Sequence, residues 1–158
     1  MKRLRLSQIL LLLLILLTVA FIFSRSVRTR TESTAESDAV EGFLSTILPS
    51  DSTLTEFILT NLRKIAHFTE FGLLGILTAL FTATLPLSPR RFAWEGVFGF
   101  FVAFLDETIQ IFSSRGPAIA DVWIDVGGYL FYTLVTFLIL TPVLLYCRRP
   151  LFCNRYGA

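Results

Sequence analysis

Charge is scarce in this chain: only 16% of its 158 residues are Asp, Glu, Lys or Arg, and the formal net charge is +2. So small a balance gives no basic face for a phosphate backbone, and no nucleic-acid partner is expected. Histidine occurs once, at His67, whereas zinc sites commonly draw on two or three His or Cys ligands. Cysteine occurs twice, at Cys147 and Cys153, spaced for no tight metal knuckle. Both lie at the end predicted to be cytoplasmic, where they are expected as reduced thiols, inert or reversibly acylated. No serine or cysteine sits in a nucleophile motif, and no internal repeat is visible. The alternation of apolar and polar residues that marks a membrane barrel is also missing.

Long apolar runs, by contrast, are plentiful. Hydrophobic residues make up 54% of the chain and the mean hydropathy is +0.69. A helix rising 1.5 Å per residue needs about twenty apolar residues to cross a bilayer. Four runs meet that length, at roughly 6–23, 66–86, 92–112 and 122–146. The fold class expected is therefore all-α: an integral membrane bundle of four transmembrane helices, forming one domain over residues 1–158. Lys2, Arg3 and Arg5 ahead of the first run also suit a secretory signal, but no small-x-small cleavage site follows, which favours a retained signal-anchor.

Basic residues orient the bundle. Lys2, Arg3, Arg5, Arg90, Arg91, Arg148, Arg149 and Arg155 fall at the N-terminus, the second loop and the C-terminus, with only Glu95 to offset them. In the first loop the bases are matched by acids such as Glu32, Glu36, Asp38 and Glu41. Both termini are thus predicted cytoplasmic, with the loops at 24–65 and 113–120 outside. Trp94 and Trp123, near opposite boundaries, suit interface anchors. Residues 24–53, rich in Ser, Thr, Glu and Arg, are expected to be a polar linker. A capping box of Thr53 and Glu56 then opens a helical segment, either an interfacial helix or an extension of the second span.

Polar residues gather at the outer ends of three runs. His67 and Glu70 sit one turn apart on the second. On the third, Gly96, Gly99, Ala103, Asp106 and Gln110 follow a three–four spacing, with Glu107 beside Asp106; small residues of this kind let membrane helices approach closely. On the last, Asp121, Asp125, Gly128 and Tyr132 share a face. Glu70, Asp106, Glu107 and Asp125 would all lie roughly 6–9 Å below the outer boundary. An ionisable group at a helix centre costs about 2.5–3.5 kcal/mol on insertion scales, so a layer of them implies a use. Its acids outnumber Arg63, Lys64 and Arg115. Some must be protonated, share a proton with His67, or neutralise a bound divalent cation.

The blocks Arg63-Lys64-x-x-His67-Phe68-x-Glu70-Phe71-x-x-Leu74-Gly75, Asp106-Glu107-x-x-Gln110-x-Phe112 with Arg115, and Asp121-Val122-x-Ile124-Asp125-x-x-Gly128 resemble the VanZ-like family in order and spacing. The resemblance covers about 63–130; the first helix and the linker add nothing to it. Phe71 stands where the family often has Tyr, and Asp125 where it often has Asn, which makes this layer more acidic. The resemblance implies a bacterial plasma-membrane protein with a cell-envelope role. It also implies lowered sensitivity to lipoglycopeptide antibiotics such as teicoplanin.

Three readings of the layer compete. In the first it binds an envelope ligand, a lipid-linked cell-wall precursor or a lipoglycopeptide, with Glu70, Gln110, Arg115, Asp121 and Asp125 as contacts. In the second it is a hydrolase or transferase for a lipid-linked substrate, metal-dependent or not. There His67, Glu107 and Asp106 would carry the chemistry and Arg115 would hold a phosphate or carboxylate. In the third the same groups form a satisfied polar network that locks the bundle. A transporter is disfavoured, since the helix middles are apolar apart from Thr78 and Gly99.

Overall fold

The computed structural model describes residues 5–28, 30–48, 52–86, 88–112 and 119–147, with the backbone alone at 30, 33 and 143–147. Among these all the regular secondary structure is helical: α1 (Leu6–Ser26), α2 (Arg30–Ile47), α3 (Thr53–Thr60), α4 (Leu62–Ala83), α5 (Pro89–Phe112) and α6 (Ile119–Cys147). Lys2, Arg3, Arg115, Arg148, Arg149, Cys153 and Arg155 lie outside the described residues, as does the turn at 113–117.

Among the described residues three helices, not the expected four, are long and apolar enough to cross a membrane: α1, α4 and α6 as far as Pro142. The exception is α5, which has 24 residues but carries Arg90, Arg91, Glu95, Asp106 and Glu107. Apolar residues cover the outside of the bundle, among them Leu16, Leu17, Phe101, Phe104, Leu134 and Leu138, and that surface fits a lipid bilayer. Trp94 and Trp123 also point outward.

The linker expectation is corrected. Residues 30–47 form α2, because Glu and Ala favour helix, no Pro interrupts the segment, and Glu36 reaches back to ion-pair with Arg28 and with Arg25 (3.5 Å). The first helix also runs on to Ser26, three residues past its apolar run. The expected capping box of Thr53 and Glu56 gives way to a simple cap: Ser52 is the N-cap of α3 and its hydroxyl accepts from the Leu54 N–H at 3.2 Å. Between the two alternatives for this segment, α3 is a separate short helix, divided from α4 at Asn61. At the other end Pro89 is the first residue of α5, where its fixed φ and missing N–H cost nothing.

The bundle is built around α4 and α6, which pack along most of their length. Two glycines allow it. A Cβ on Gly128 would strike the Phe68 carbonyl oxygen, and one on Gly75 would strike the carbonyl of Tyr129. The Tyr129 ring lies over Gly99 of α5, and its hydroxyl is 2.8 Å from Thr78 Oγ1 and donates to the Glu95 carbonyl at 3.1 Å. One buried side chain thereby ties α4, α5 and α6 together. The core adds Phe71, Leu74, Val102, Ala103 and Val126, with Ile15 and Ile22 of α1 closing over them. Gln8 of α1 donates to Thr84 Oγ1 at 3.1 Å, fastening the far end of that helix to α4. Of the small-residue stripe on α5, Gly99 and Ala103 are buried, whereas a Cβ on Gly96 meets nothing within 4 Å.

These contacts separate the glycines. Gly128→Leu is expected to lower the stability of the detergent-solubilised protein by about 1–3 kcal/mol, because overpacking must push α6 away from α4. Gly96→Ala should be neutral or stabilising by up to about 1 kcal/mol through helix propensity alone. Thermal unfolding followed by circular dichroism measures both.

Candidate functional site

Four helices bring polar side chains to one end of the bundle. The C-terminal ends of α1 and α5 and the N-terminal ends of α4 and α6 meet there. The antiparallel order thus stacks motifs that lie far apart in sequence. His67 comes from the second turn of α4, Asp106 from α5 and Asp125 from α6. Each has a donor atom within 4.8 Å of the other two. Asp106 and Asp125 are both 0% exposed.

Within this cluster His67 Nδ1 and Asp125 Oδ1 are 3.2 Å apart, an ion-pair contact when the imidazole is protonated. Beyond that contact, neither the Nδ1 atom nor either Asp125 carboxylate oxygen, all buried, has a hydrogen-bond partner. Asp106 is differently placed: it accepts from the Ser26 hydroxyl of α1 and, at 2.7 Å, from Gln110 Nε2 one turn along its own helix. Gln110 Oε1 in turn accepts from the Arg63 guanidinium at 3.0 Å. The amide therefore relays between a carboxylate and a base on a neighbouring helix, and its orientation is set by both partners.

Around the cluster runs a charged rim. Arg25 of α1 holds Glu70 at 3.1 Å and also Glu36 of α2, while Arg28 pairs with Glu36. Arg63 stands 3.8 Å from Asp121. A small cavity of about 20 Å³ opens here, lined by Ile22, Arg25, Ser26, Arg28, Glu36, His67 and Glu70. That is room for a water molecule or an ion, not for a head group.

The expected site residues thus divide. His67, Asp106 and Asp125 form the centre, with Gln110 against Asp106; Glu70 and Asp121 stand at the rim with arginine partners. Glu107 is buried beside Asp106 on α5. Lys64 is exposed. Sequence reasoning missed Arg25, Ser26 and Glu36, and the only available signal was that charged and hydroxyl residues follow the first apolar run directly. It also placed Glu95 with the loop charges. In the structure this acid is 6% exposed and lines a second cavity of about 310 Å³ toward the opposite end, with Thr78, Thr82, Phe98 and Tyr129 among its walls.

A helical protein with membrane-spanning segments and a buried histidine–carboxylate cluster at one end of the bundle is the class these features define. The model of the VanZ/LLP1 family matches residues 9–141, and the chain belongs to that family. No curated protein and no solved structure matches it. The family match reaches well beyond 63–130. It takes in α1 and α2, so the N-terminal region is part of the resemblance as well as of the site.

Ser26 provides a direct check on the α1 contribution. Ser26→Ala leaves the buried Asp106 with one donor fewer and should cost about 1–3 kcal/mol. Ser24→Ala, which removes only a bond to the Phe21 carbonyl of its own helix, should change stability by less than about 0.5 kcal/mol. Chemical or thermal unfolding in detergent distinguishes the two.

Proposed function

We propose that this single-domain protein works at the outer face of a bacterial plasma membrane, where its polar layer binds the polar part of an envelope lipid or lipoglycopeptide. In this reading α5 is a fourth crossing whose acids are shielded by its neighbours, both termini are cytoplasmic, and the histidine–carboxylate end of the bundle faces outward. Family membership supports the membrane and envelope assignment. The observation that carries the rest is the convergence of His67, Asp106 and Asp125 from three helices into one buried centre under a rim of arginines.

Because the cavity holds about 20 Å³, a ligand is met at the rim. Arg25 and Arg28 are the groups suited to it, since a guanidinium presents a planar fork to a phosphate or carboxylate. Their side chains are 37% and 42% exposed and are held by Glu36 and Glu70. An anionic head group would displace Glu36 and with it α2. Arg115 would add a third base from the outer turn. One observation favours the alternative, a hydrolase or transferase for a lipid-linked substrate. Asp125 stands at Nδ1 of His67, the arrangement in which a carboxylate orients an imidazole and leaves Nε2 to act as general base.

Two experiments test this. With Cys147 and Cys153 replaced by serine, Glu56→Cys should react with an impermeant maleimide in intact cells, and Arg90→Cys only after permeabilisation. The opposite pattern sinks the outward-facing site. Teicoplanin susceptibility of a sensitive host should fall on expression of the wild type. At matched membrane abundance, Arg25→Ala with Arg28→Ala should weaken protection under the binding reading, and His67→Gln should abolish it under the catalytic one. No protection by the wild type would overturn the antibiotic link.

A further inference from the structure

We propose that His67, Asp106 and Asp125 hold a divalent cation of the borderline class, Mn²⁺ or Zn²⁺, at the centre of the polar layer. The inference rests on that layer being a working site, as the receptor reading has it, and names what occupies its buried floor.

Geometry is the first argument. Two ligands of one metal at bond lengths of 2.0–2.1 Å in a tetrahedral site stand about 3.3 Å apart. His67 Nδ1 and Asp125 Oδ1 are 3.2 Å apart, the spacing of two ligands to one ion. Asp106 offers an oxygen within 4.8 Å of both, so a modest side-chain movement completes a three-ligand set.

The second argument is the unmet bonding of Asp125. It is 0% exposed, and apart from the His67 contact neither carboxylate oxygen has a partner. Buried polar groups left in this state are costly and call for a partner. A dication beside one neutral imidazole and two carboxylates brings the centre to zero net charge, which removes most of the cost of burying the two acids.

Third, the surroundings are those of a ligand shell. Ser26 and Gln110 donate to Asp106 and fix its orientation, as outer hydrogen bonds do around metal-bound carboxylates. The adjoining cavity of about 20 Å³ accommodates a water in a remaining coordination position, and Glu70 and Glu36 line it. One nitrogen and two oxygens suit Mn²⁺ or Zn²⁺ better than a thiolate-seeking metal.

His67 is the only histidine in the chain, so a bound metal can be assigned without a mutation. The full-length protein, carried on a histidine-free affinity tag, is purified in detergent, loaded with Mn²⁺ and freed of excess. About one ion per chain should remain, and pulsed electron paramagnetic resonance should show coupling to an imidazole nitrogen. Asp125→Asn and Asp106→Asn, each altering a direct ligand, should weaken Mn²⁺ binding by more than the roughly ten- to hundredfold that loss of an outer-shell partner costs. Glu95→Gln, a buried acid in the other cavity, should leave it unchanged. Folded wild-type protein that retains neither Mn²⁺ nor Zn²⁺, or Mn²⁺ bound without nitrogen coupling, would overturn the proposal. So would Mn²⁺ affinity unaffected by Asp125→Asn. Metal bound with no effect on teicoplanin susceptibility upholds the metal site and removes the antibiotic link. Protection without metal does the reverse.

Discussion

Everything at the polar end of this protein depends on how closely α4 and α6 approach. Between helices in a lipid environment the hydrophobic effect contributes little, and association relies on packing and on hydrogen bonds. Gly128 against the Phe68 carbonyl and Gly75 against that of Tyr129 set the separation at two levels. His67 immediately precedes Phe68, and Asp125 lies about one turn before Gly128. The contact that seats the two helices therefore also sets the distance between the imidazole and the carboxylate. Tyr129, bonded to Thr78 and to the Glu95 carbonyl, fixes the rotation of α6 so that Asp125 faces inward.

Onto this pair the other helices add complementary groups. The Asp106 of α5 reaches the centre because Gly99 and Ala103, lower on the same face, let that helix lie close under the Tyr129 ring. The last turn of α1 adds Ser26 to Asp106 and Arg25 to Glu70. An outer ring of ion pairs surrounds an inner group whose hydrogen-bonding capacity is only partly used. The difference matters, because partly exposed pairs like those of Arg25 contribute little to stability, whereas a fully buried carboxylate with only one imidazole beside it is expensive to keep. A layer assembled only for rigidity would be expected to satisfy Asp125 first.

Much of the polar layer was legible from residue spacing. The second, third and fourth apolar runs carry their polar groups at helical intervals, and such intervals survive folding unchanged. Hence His67 with Glu70, Asp106 with Gln110, and Asp125 with Gly128 fall on common faces by spacing alone. Other features left no such trace. The first helix is so uniformly Leu and Ile that its periodicity identifies no buried face, and nothing in the run shows that Ser26 ends against Asp106. Residues 30–47 resemble a polar linker because Ser, Thr, Glu and Arg also compose linkers; their helix is supported by ion pairs to Arg25 and Arg28. Glu95 was misplaced because proximity to Arg90 and Arg91 in sequence suggested a loop charge, whereas helical geometry turns it inward. The same acids lower the apolarity of α5, so three helices and not four qualify as spans by composition.

Composition and run length by themselves determined that this chain is helical and suited to a membrane. The physical reason is that only a continuous helix satisfies the backbone hydrogen bonds of twenty consecutive apolar residues in lipid. Spacing within each run determined which residues could face a neighbour. What spacing within a helix cannot determine is the phase of one helix against another. Contacts between glycine and carbonyl, and the anchoring of Tyr129, decided that phase. They selected His67, Asp106 and Asp125 as the centre, left Glu70 and Asp121 at the rim, and brought in Ser26 from a helix whose sequence announces nothing.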